Sequence, residues 1–279
     1  MGTLTEGARE LAELVLPLRA NPEAAAVLSD VDGTLAPIVD DPAAASVPAE
    51  TREVLEELAG RYAMVACVTG RRALEAREMV GVEGIAYAGN HGFELMRPGD
   101  AEAIPDPALR GREAASRQFV ESLDRDDLIL HGLRVEDKGP IQAIHWRGAV
   151  DEEVAERRAR ELADAARAAG LVPRAGRKVL EVRPVAGIDK GSAVTRMVRE
   201  AGARAALFGG DDHTDLDAFT ALRWLRSAGR LSAAVCVGVV SPEAPTGLDE
   251  ASDCLVEGTD GFLSVLRVLA APSAAAGNR

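Results

Sequence analysis

Short apolar runs alternate with amphipathic stretches along most of this 279-residue chain. The apolar runs have the length and the Val, Leu and Ala content of strands that are buried on both faces. They cover residues 24–29, 64–68, 84–88, 205–208, 234–239 and 254–256. The amphipathic stretches repeat apolar residues at helical spacing, and they cover residues 51–61, 72–80, 190–201, 214–227 and 260–269. This alternation predicts an α/β fold with a doubly wound, Rossmann-like core built on a parallel sheet.

The alternation breaks in the middle of the chain, where strand-like segments are of mixed polarity. These segments are residues 134–138, 141–147 and 178–183, with a predicted helix at residues 151–169. Alternating polar and apolar residues are typical of a sheet with one face covered and the other open to water. We therefore predict an α+β domain at residues 108–186, inserted into a core formed by residues 1–107 and 187–279.

Composition and charge exclude several classes of partner. The formal net charge is −13, which disfavours nucleic acid and anionic membranes because both need a basic surface. No apolar run reaches the ~18 residues needed to span a bilayer, and residues 3–20 have the pattern of an amphipathic helix rather than a signal peptide. The three cysteines Cys67, Cys236 and Cys254 lie in strand-like runs and are interpreted as buried thiols. We expect a cytoplasmic monomer.

Two carboxylates stand two residues apart where the first predicted strand ends. Asp30 and Asp32 are followed by Gly33 and Thr34, at the end of a strand where open α/β sheets bind ligands. Two like charges held ~4 Å apart cost a few kcal/mol at an effective dielectric constant of about 20. The pair therefore needs a cation, a proton or an anion-transfer reaction nearby. The alternative is an ordinary Asp-Gly turn.

Two further motifs suggest an anionic ligand. Thr69, Gly70 and Arg71 follow the second predicted strand and open a helix, where a hydroxyl and backbone N–H groups can cradle an anion. Lys190 stands at the start of another helix, where a cation opposes the helix dipole unless an anion is bound. Taken singly, the first also fits a common turn and the second a surface lysine.

Three acidic residues follow the strand at residues 205–208. Asp211, Asp212 and Asp215 come directly after Gly209 and Gly210. Asp215 fits a helix N-terminus, which favours acidic residues, whereas the adjacent pair after two glycines is harder to explain as a cap. Carboxylate oxygens suit Mg²⁺, which binds through one or two carboxylates together with phosphate. The sequence has no Cys/His spacing typical of zinc.

In their order along the chain, these four motifs resemble those of the haloacid dehalogenase superfamily of phosphotransferases. The resemblance implies that Asp30 is a nucleophile that forms an aspartyl-phosphate, and that Asp32 is the general acid and base. It also implies that Thr69 and Lys190 hold the phosphoryl oxygens. The implied ligands of Mg²⁺ are Asp30, the carbonyl of Asp32, Asp211 and Asp212. The slow uncatalysed hydrolysis of phosphate monoesters makes such a two-step route chemically useful.

Additional stretches resemble the trehalose-6-phosphate phosphatase family. They include Gly-Asn-His-Gly-Phe-Glu at residues 89–94, Val-Glu-Asp-Lys at 135–138, His-Trp-Arg at 145–147, and residues 176–184 and 210–219. The resemblance covers about residues 24–269. It implies that the inserted domain is a cap that closes over the substrate and recognises its sugar.

The resemblance also implies a set of substrate-binding residues. They are Gly70, Arg71, Asn90, His91, Glu136, Lys138, Arg177 and Glu181. Strand alternation independently places Glu136 with Lys138 on one face, and Arg177 with Glu181 on one face, although an exposed, salt-bridged ribbon would show the same pattern. His91 fits a packing role and a substrate contact equally well.

The expected function is that of a Mg²⁺-dependent phosphatase that converts trehalose 6-phosphate into trehalose and inorganic phosphate. Its partner is then a small sugar phosphate, with a functional link to a trehalose-phosphate synthase. One alternative is a phosphatase for glucosyl- or mannosyl-phosphoglycerate or sucrose phosphate. Another is a non-catalytic sugar-phosphate sensor, which is disfavoured because Asp30, Asp32, Lys190 and Asp211 are all present.

Overall fold

The structure is a computed structural model that describes residues 6–39, 44–176, 178–241 and 244–272. The strands are β1 Ala25–Ser29, β2 Met64–Val68, β3 Ala86–Gly89, β4 Glu94–Met96, β5 Ile104–Pro105, β6 Arg134–Asp137, β7 Gln142–His145, β8 Val172–Gly176, β9 Val179–Arg183, β10 Ala205–Gly210, β11 Ala233–Val240 and β12 Cys254–Glu257. The helices are α1 Glu6–Leu14, α2 Leu16–Ala20, α3 Ala49–Ala59, α4 Ala73–Val80, α5 Ala115–Glu121, α6 Arg125–Leu130, α7 Glu152–Ala168, α8 Lys190–Glu200, α9 Asp215–Ser227, α10 Leu248–Ala251 and α11 Gly258–Ala270.

The chain divides into two compact units, one formed by Met1–Ile104 with Ile188–Arg279 and the other by Pro105–Gly187. The first unit is built on a sheet with the strand order β12-β11-β10-β1-β2-β3-β4-β5. The strands from β12 to β3 run parallel, and β4 pairs with β3 in the antiparallel sense. The predicted parallel-sheet core and its separate α+β part are confirmed.

Both faces of the parallel sheet are covered by apolar side chains. Val27 of β1 belongs to a cluster with Leu55 of α3 and Leu266 of α11. The next residue, Leu28, points to the opposite face and packs in a cluster with Val194 of α8 and Phe219 of α9. Because successive strand residues face opposite sides, burial of both faces requires an unbroken apolar run. This is why the strands could be located from the sequence.

The second unit contains a four-stranded antiparallel sheet with the order β6-β7-β9-β8. Ile144 and Leu180 of the sheet pack with Leu162 of α7 in a separate apolar cluster. Strand β8 was absent from the sequence prediction. It contains Pro173 and is largely exposed. Both features are typical of a strand at the edge of a sheet, which is where β8 lies, because a proline there need not donate a hydrogen bond to a neighbouring strand. Helices α5 and α6 were also not predicted.

The amphipathic segment predicted at residues 3–20 forms two helices, α1 and α2, in its described part. The break falls just before Pro17, which cannot donate a backbone hydrogen bond inside a helix. Arg19 Nη2 of α2 donates to the carbonyl of Ala271 at 3.2 Å, and the Tyr62 hydroxyl donates to that of Leu269 at 3.0 Å. These donors satisfy carbonyl groups at the end of α11 that have no partner within the helix.

No helix in the described segments is long and apolar enough to cross a membrane. Cys67 and Cys236 are buried as predicted, whereas Cys254 on β12 is only partly buried. Burial raises the pKa of the Cys236 thiol to about 12, and it also raises the pKa of the Cys67 thiol. A thiol held protonated in this way is chemically inert.

Candidate active site

Asp30 stands directly after β1, between the ends of β2 and β10. Its backbone N–H donates to the carbonyl of Gly209 at 2.8 Å, which extends the pairing of β1 with β10 by one bond. The residue is only 4 % exposed. Because β1 lies between β2 and β10, motifs that are far apart in the sequence end at the same edge of the sheet.

A tight turn follows Asp30 and brings Asp211 against it. The carbonyl of Val31 accepts bonds from Leu35 and Ala36, at 2.9 Å each. Gly33 has a φ of +84°, and a Cβ at this position would overlap the carboxylate of Asp211. Only glycine satisfies both demands. The Thr34 hydroxyl donates to Asp211 Oδ1 at 3.2 Å, so the turn and the acidic loop after β10 are fixed to each other.

Lys190 is the first residue of α8 and is buried among carboxylates. Its Nζ lies 3.0 Å from Asp30 Oδ1, 2.7 Å from Asp215 Oδ1 and 3.8 Å from Asp212 Oδ1. Burial alone would lower the pKa of Lys190, but these three carboxylates raise it well above its usual value. The lysine is therefore charged at neutral pH.

The start of α8 is fixed by a reciprocal cap. Ser192 N donates to Asp189 Oδ1 at 2.7 Å, and Asp189 N donates to Ser192 Oγ at 2.9 Å. This capping box satisfies two N–H groups that a helix start would otherwise leave without partners. The cap thereby sets the direction from which Lys190 enters the site.

Asp215 organises the acidic loop that precedes α9. Its Oδ1 binds Lys190, and its Oδ2 accepts the N–H groups of Asp211 and Asp212 at 2.9 and 3.0 Å. A Cβ on Gly210 would overlap this carboxylate. One oxygen of Asp215 therefore pairs with Lys190 and the other holds the loop. The sequence pattern indicates the helix-terminus position of Asp215 but neither of these contacts.

Asp212 caps the same loop from the other side. Its Oδ1 accepts bonds from Thr214 N at 2.7 Å, Thr214 Oγ1 at 2.6 Å and Asp215 N at 3.1 Å. Burial raises the pKa of Asp212, but Lys190 and the Thr214 bonds outweigh it, so the net shift is downward. Asp212 is therefore a carboxylate, and its second oxygen is not part of this cap.

Burial and neighbouring acids shift the pKa values of three carboxyl groups upward, those of Asp30, Asp211 and Asp215. Burial, opposed by Lys190 and reinforced by the nearby acids, raises the pKa of Asp30 to about 8. Burial together with Asp215 and Asp212 raises that of Asp211 to about 7. A cation near these groups would reverse such shifts.

The donor set fits a hard metal ion. Oxygen atoms of Asp30, Asp212 and Asp215 lie within 4.8 Å of one another. Lys190 already bonds to Asp30 and Asp215, so this trio is organised around its ammonium group. Asp30, Asp211 and Asp212 offer further carboxylate oxygens, which are the ligands that Mg²⁺ and similar cations prefer. The acidic cluster could thus hold a metal ion.

The predicted anion cradle at Thr69 and Gly70 is supported by the loop after β3. Thr69 Oγ1 accepts the N–H of Arg71 at 3.2 Å, and the carbonyl of Thr69 accepts the N–H of His91 at 2.8 Å. Asn90 and His91 both adopt positive φ values, 51° and 58°, which is unusual for residues with side chains and is often found at functional sites. A Cβ on Gly70 would lie 2.9 Å from the His91 ring, so His91 packs closely against the cradle.

Arg71 binds the predicted acid/base residue. Its Nε donates to Asp32 Oδ2 at 2.7 Å, and its Nη2 donates to Asp32 Oδ1 at 2.6 Å. The hydrogen bonds that Arg71 donates to Asp32 raise the pKa of Arg71. Sequence reasoning had assigned Arg71 to the substrate, and nothing in the sequence indicated this pairing.

Two of the four predicted sugar-binding residues, Glu136 and Glu181, lie in the antiparallel sheet of the second unit. Lys138 directly follows β6, and Arg177 lies outside the described residues. Glu136 and Glu181 both pair with Ala143 of β7, from its two sides. Lys138 Nζ lies 3.5 Å from Glu181 Oε1. These side chains therefore form one charged group on a single face of the sheet.

Two residues that sequence reasoning missed hold the carboxylates of this charged group. His145 Nε2 lies 2.7 Å from Glu136 Oε2, and Arg183 Nε lies 3.0 Å from Glu181 Oε2. The hydrogen bond from His145 lowers the pKa of Glu136. Strand alternation could have indicated Arg183, because it stands two residues after Glu181.

Comparison with known proteins identifies the family. Residues 28–247 match the model of the trehalose-phosphatase family. The trehalose-phosphate phosphatase of Mycobacterium avium is 40 % identical over 210 residues, which are 71 % of this chain and 51 % of that protein. Trehalose-phosphate phosphatase B of Arabidopsis thaliana is 33 % identical over 211 residues, 70 % of this chain and 55 % of that protein. The chain thus spans about half the length of these curated relatives.

Solved structures show the same fold. The C-terminal domain of trehalose-6-phosphate phosphatase from C. albicans aligns with a TM-score of 0.74 at 23 % identity, covering 93 % of this chain and 96 % of that one. The Aspergillus fumigatus trehalose-6-phosphate phosphatase aligns with a TM-score of 0.64 at 22 % identity, covering 96 % and 99 %. On the match to the family model and on these relatives, the chain belongs to the trehalose-phosphatase family.

Proposed function

We propose that this chain is a Mg²⁺-dependent phosphatase that hydrolyses trehalose 6-phosphate to trehalose and inorganic phosphate. The single observation that carries the proposal is the position of Asp30. Its carboxylate is buried at the end of β1, 3.0 Å from Lys190 Nζ, with Asp32 two residues further on. The names of the curated relatives support the choice of substrate.

In the proposed reaction, Asp30 attacks the phosphorus and the bond from phosphorus to the sugar oxygen breaks. Asp32 supplies a proton to the departing oxygen. A water molecule then attacks the aspartyl-phosphate, Asp32 takes a proton from that water, and inorganic phosphate leaves. The charge of Lys190 offsets repulsion between the Asp30 carboxylate and the anionic phosphoryl group. Splitting the reaction at a carboxylate makes each displacement easier.

The same geometry supports the proposed metal and phosphoryl contacts. Asp30, the carbonyl of Asp32, Asp211 and Asp212 would hold Mg²⁺, which would supply positive charge beside the phosphoryl oxygens. Thr69, Gly70 and the N–H groups before α4 would receive those oxygens. Asn90 and His91 would keep this loop in place.

The α+β domain at residues 108–186 is proposed to act as the cap that recognises the sugar. Glu136, Lys138, Arg177 and Glu181 are the proposed sugar-binding residues. Charged hydrogen-bonding groups suit the many hydroxyl groups of a disaccharide. The tethers from His145 and Arg183 support this proposal because they fix the directions of two carboxylates.

We further propose a cytoplasmic monomer that acts on the product of a trehalose-phosphate synthase. The free thiols of Cys67, Cys236 and Cys254 support a reducing compartment.

A substrate panel tests the proposed function. Phosphate release is measured from trehalose 6-phosphate, sucrose 6-phosphate, glucosylphosphoglycerate and p-nitrophenyl phosphate, with Mg²⁺ and after chelation with EDTA. We expect the highest kcat/KM for trehalose 6-phosphate, and activity only with the metal. Asp30→Asn should lower kcat by about 10³-fold or more while leaving the fold intact. Preference for another sugar phosphate would overturn the substrate, and an active Asp30→Asn variant would overturn the nucleophile.

A further inference from the structure

The guanidinium of Arg71 binds both oxygens of Asp32. The two N–H···O distances are 2.7 and 2.6 Å, which is the two-point pairing that arginine makes with planar anions. Each oxygen of Asp32 thus accepts one charge-assisted hydrogen bond from Arg71, and together the two bonds fix the direction of the carboxylate. As long as this pair persists, Asp32 cannot turn toward the leaving oxygen of a substrate or an attacking water molecule without breaking one of these bonds.

The pair is placed where a phosphoryl group can compete for it. Arg71 directly follows the Thr69–Gly70 cradle, and the side chains of Arg71 and Asp32 are 20 % and 38 % exposed. By contrast, the Lys190 and Asp30 side chains are 1 % and 6 % exposed. The outer ion pair can therefore exchange partners, whereas the inner one is fixed.

The backbone of Arg71 is held, so that only its side chain needs to move. Its N–H donates to Thr69 Oγ1 at 3.2 Å, and its carbonyl accepts the N–H of Asn90 at 2.7 Å. A guanidinium fork binds phosphate oxygens with the same geometry as carboxylate oxygens. Exchange from Asp32 to a phosphoryl group thus replaces two charge-assisted hydrogen bonds with two of the same kind.

We propose that Arg71 is a positioning residue that binds Asp32 before the substrate arrives. It releases Asp32 when its two donors move to the phosphoryl group of the substrate. Binding of the phosphoryl group and release of the acid/base residue are then one event. This inference rests on the proposed phosphatase function and adds the order in which the site becomes competent.

Competition between Asp32 and phosphate for Arg71 can be measured without turnover. The probe is inorganic phosphate, titrated by calorimetry into the Mg²⁺-loaded full chain. Four proteins form a double-mutant cycle: the parent chain, Asp32→Asn, Arg71→Gln and the double variant. We expect Asp32→Asn to bind phosphate about tenfold more tightly than the parent chain, because Arg71 no longer has to leave a carboxylate. In the Arg71→Gln background, Asp32→Asn should give a smaller gain in phosphate affinity.

Simple charge repulsion predicts the opposite order. If Asp32 only repels phosphate, Asp32→Asn should raise the phosphate affinity more when Arg71 is absent, because the charge of Arg71 then no longer screens the repulsion. A larger gain in the Arg71→Gln background would therefore overturn the proposal, and so would equal gains in both backgrounds. Arg226→Gln is the control, because this exposed arginine lies in the last turn of α9 and its loss should leave phosphate binding unchanged with either residue at position 32.

A conservative variant and an activity assay separate this inference from the proposed function. Arg71→Lys keeps the charge without the two-point fork, and its phosphate affinity in the Asp32→Asn background should fall between those of arginine and glutamine. If the lysine variant bound phosphate as tightly as the protein with Arg71, two-point binding by the guanidinium would be contradicted. The parent chain could hydrolyse trehalose 6-phosphate while Asp32→Asn improves phosphate affinity no more with Arg71 present than with Gln at position 71. In that case the inference about Arg71 fails and the proposed function stands. If the parent chain neither binds phosphate nor releases it, the proposed function fails.

Discussion

Lys190 and Asp215 form a wholly buried ion pair whose Nζ–Oδ1 distance is 2.7 Å. The second oxygen of Asp215 holds the backbone of the loop that carries Asp211 and Asp212. Asp215 therefore links the charge of the lysine to the shape of the acidic loop. A residue at the start of a helix thus supports the site from behind the reacting groups.

Asp215→Asn should destabilise the protein by about 3–5 kcal/mol, because removal of one partner leaves a buried charge poorly compensated. Urea unfolding followed by circular dichroism measures the effect. Asp164→Asn is the control, since Asp164 pairs with Arg167 at the surface with a side-chain exposure of 78 % and should change stability by less than about 1 kcal/mol. Equal effects of the two substitutions would show that the buried pair does not support the fold.

Gly33→Ala should abolish activity and weaken metal binding, because its Cβ would push Asp211 away from the turn after Asp30. Gly99→Ala is a matched control: Gly99 has nearly the same φ, +86° against +84°, but nothing within 4 Å of its Cβ. Each substitution carries a backbone cost of about 1–2 kcal/mol. Only Gly33→Ala should lower kcat/KM, by about 100-fold or more if Asp211 leaves the site. Similar activities in both variants would show that the contact with Asp211 is unimportant.

Metal removal should make stability fall as the pH rises. An unfolded Asp has a pKa of about 3.9, whereas burial raises that of Asp30 to about 8 and that of Asp211 to about 7 in the folded chain. Between the unfolded and the folded pKa values, the folded state binds more protons than the unfolded state does. The free energy of unfolding therefore decreases as the pH rises through this window.

Melting temperatures measured from pH 5 to pH 8 after chelation with EDTA test this dependence. The raised pKa of Asp215 acts in the same direction as those of Asp30 and Asp211. The lowered pKa of Asp212 acts only at more acidic pH, and the raised pKa of Lys190 only at more basic pH. Added Mg²⁺ should restore stability most strongly near pH 8, where the carboxylates are charged. A metal-free protein whose melting temperature is constant over this range would contradict the crowding of these acids.

His145→Ala should reduce the proposed preference for trehalose 6-phosphate over p-nitrophenyl phosphate by about tenfold, because Glu136 loses the bond that orients it. The ratio of the two kcat/KM values is the readout. His131→Ala is the control, since that imidazole binds Asp127 instead and should leave the ratio unchanged. An unchanged ratio in His145→Ala would show that the orientation of Glu136 does not set the preference for the sugar.

Local chemistry explains which parts of the site could be predicted. Asp30 and Asp211 follow apolar strands, and Lys190 stands at a helix start, where a cation opposes the helix dipole. Charges at such positions are unusual and therefore informative. The pairing of Arg71 with Asp32 joins residues 39 positions apart, and no pattern in the sequence marks it. The role of Asp215 was underestimated because acidic residues at helix starts are common.

The same reasoning applies to the fold. Strands buried on both faces are visible as apolar runs, whereas β8 is short, polar and interrupted by Pro173. The break between α1 and α2 lies next to Pro17, and the amphipathic pattern alone does not reveal this break. Pairing between strands distant in the sequence, such as β1 with β10, follows from the general topology of α/β folds rather than from any residue.

The place of β1 between β2 and β10 has a consequence for synthesis on the ribosome. The unit Pro105–Gly187 is continuous in the chain and can fold as soon as it has emerged. The first unit cannot, because β1 waits for a neighbour that is translated some 180 residues later. During that interval an apolar strand and the Asp30 turn remain without their partner. We therefore expect the first unit to depend on chaperones during translation, in contrast to the continuous unit.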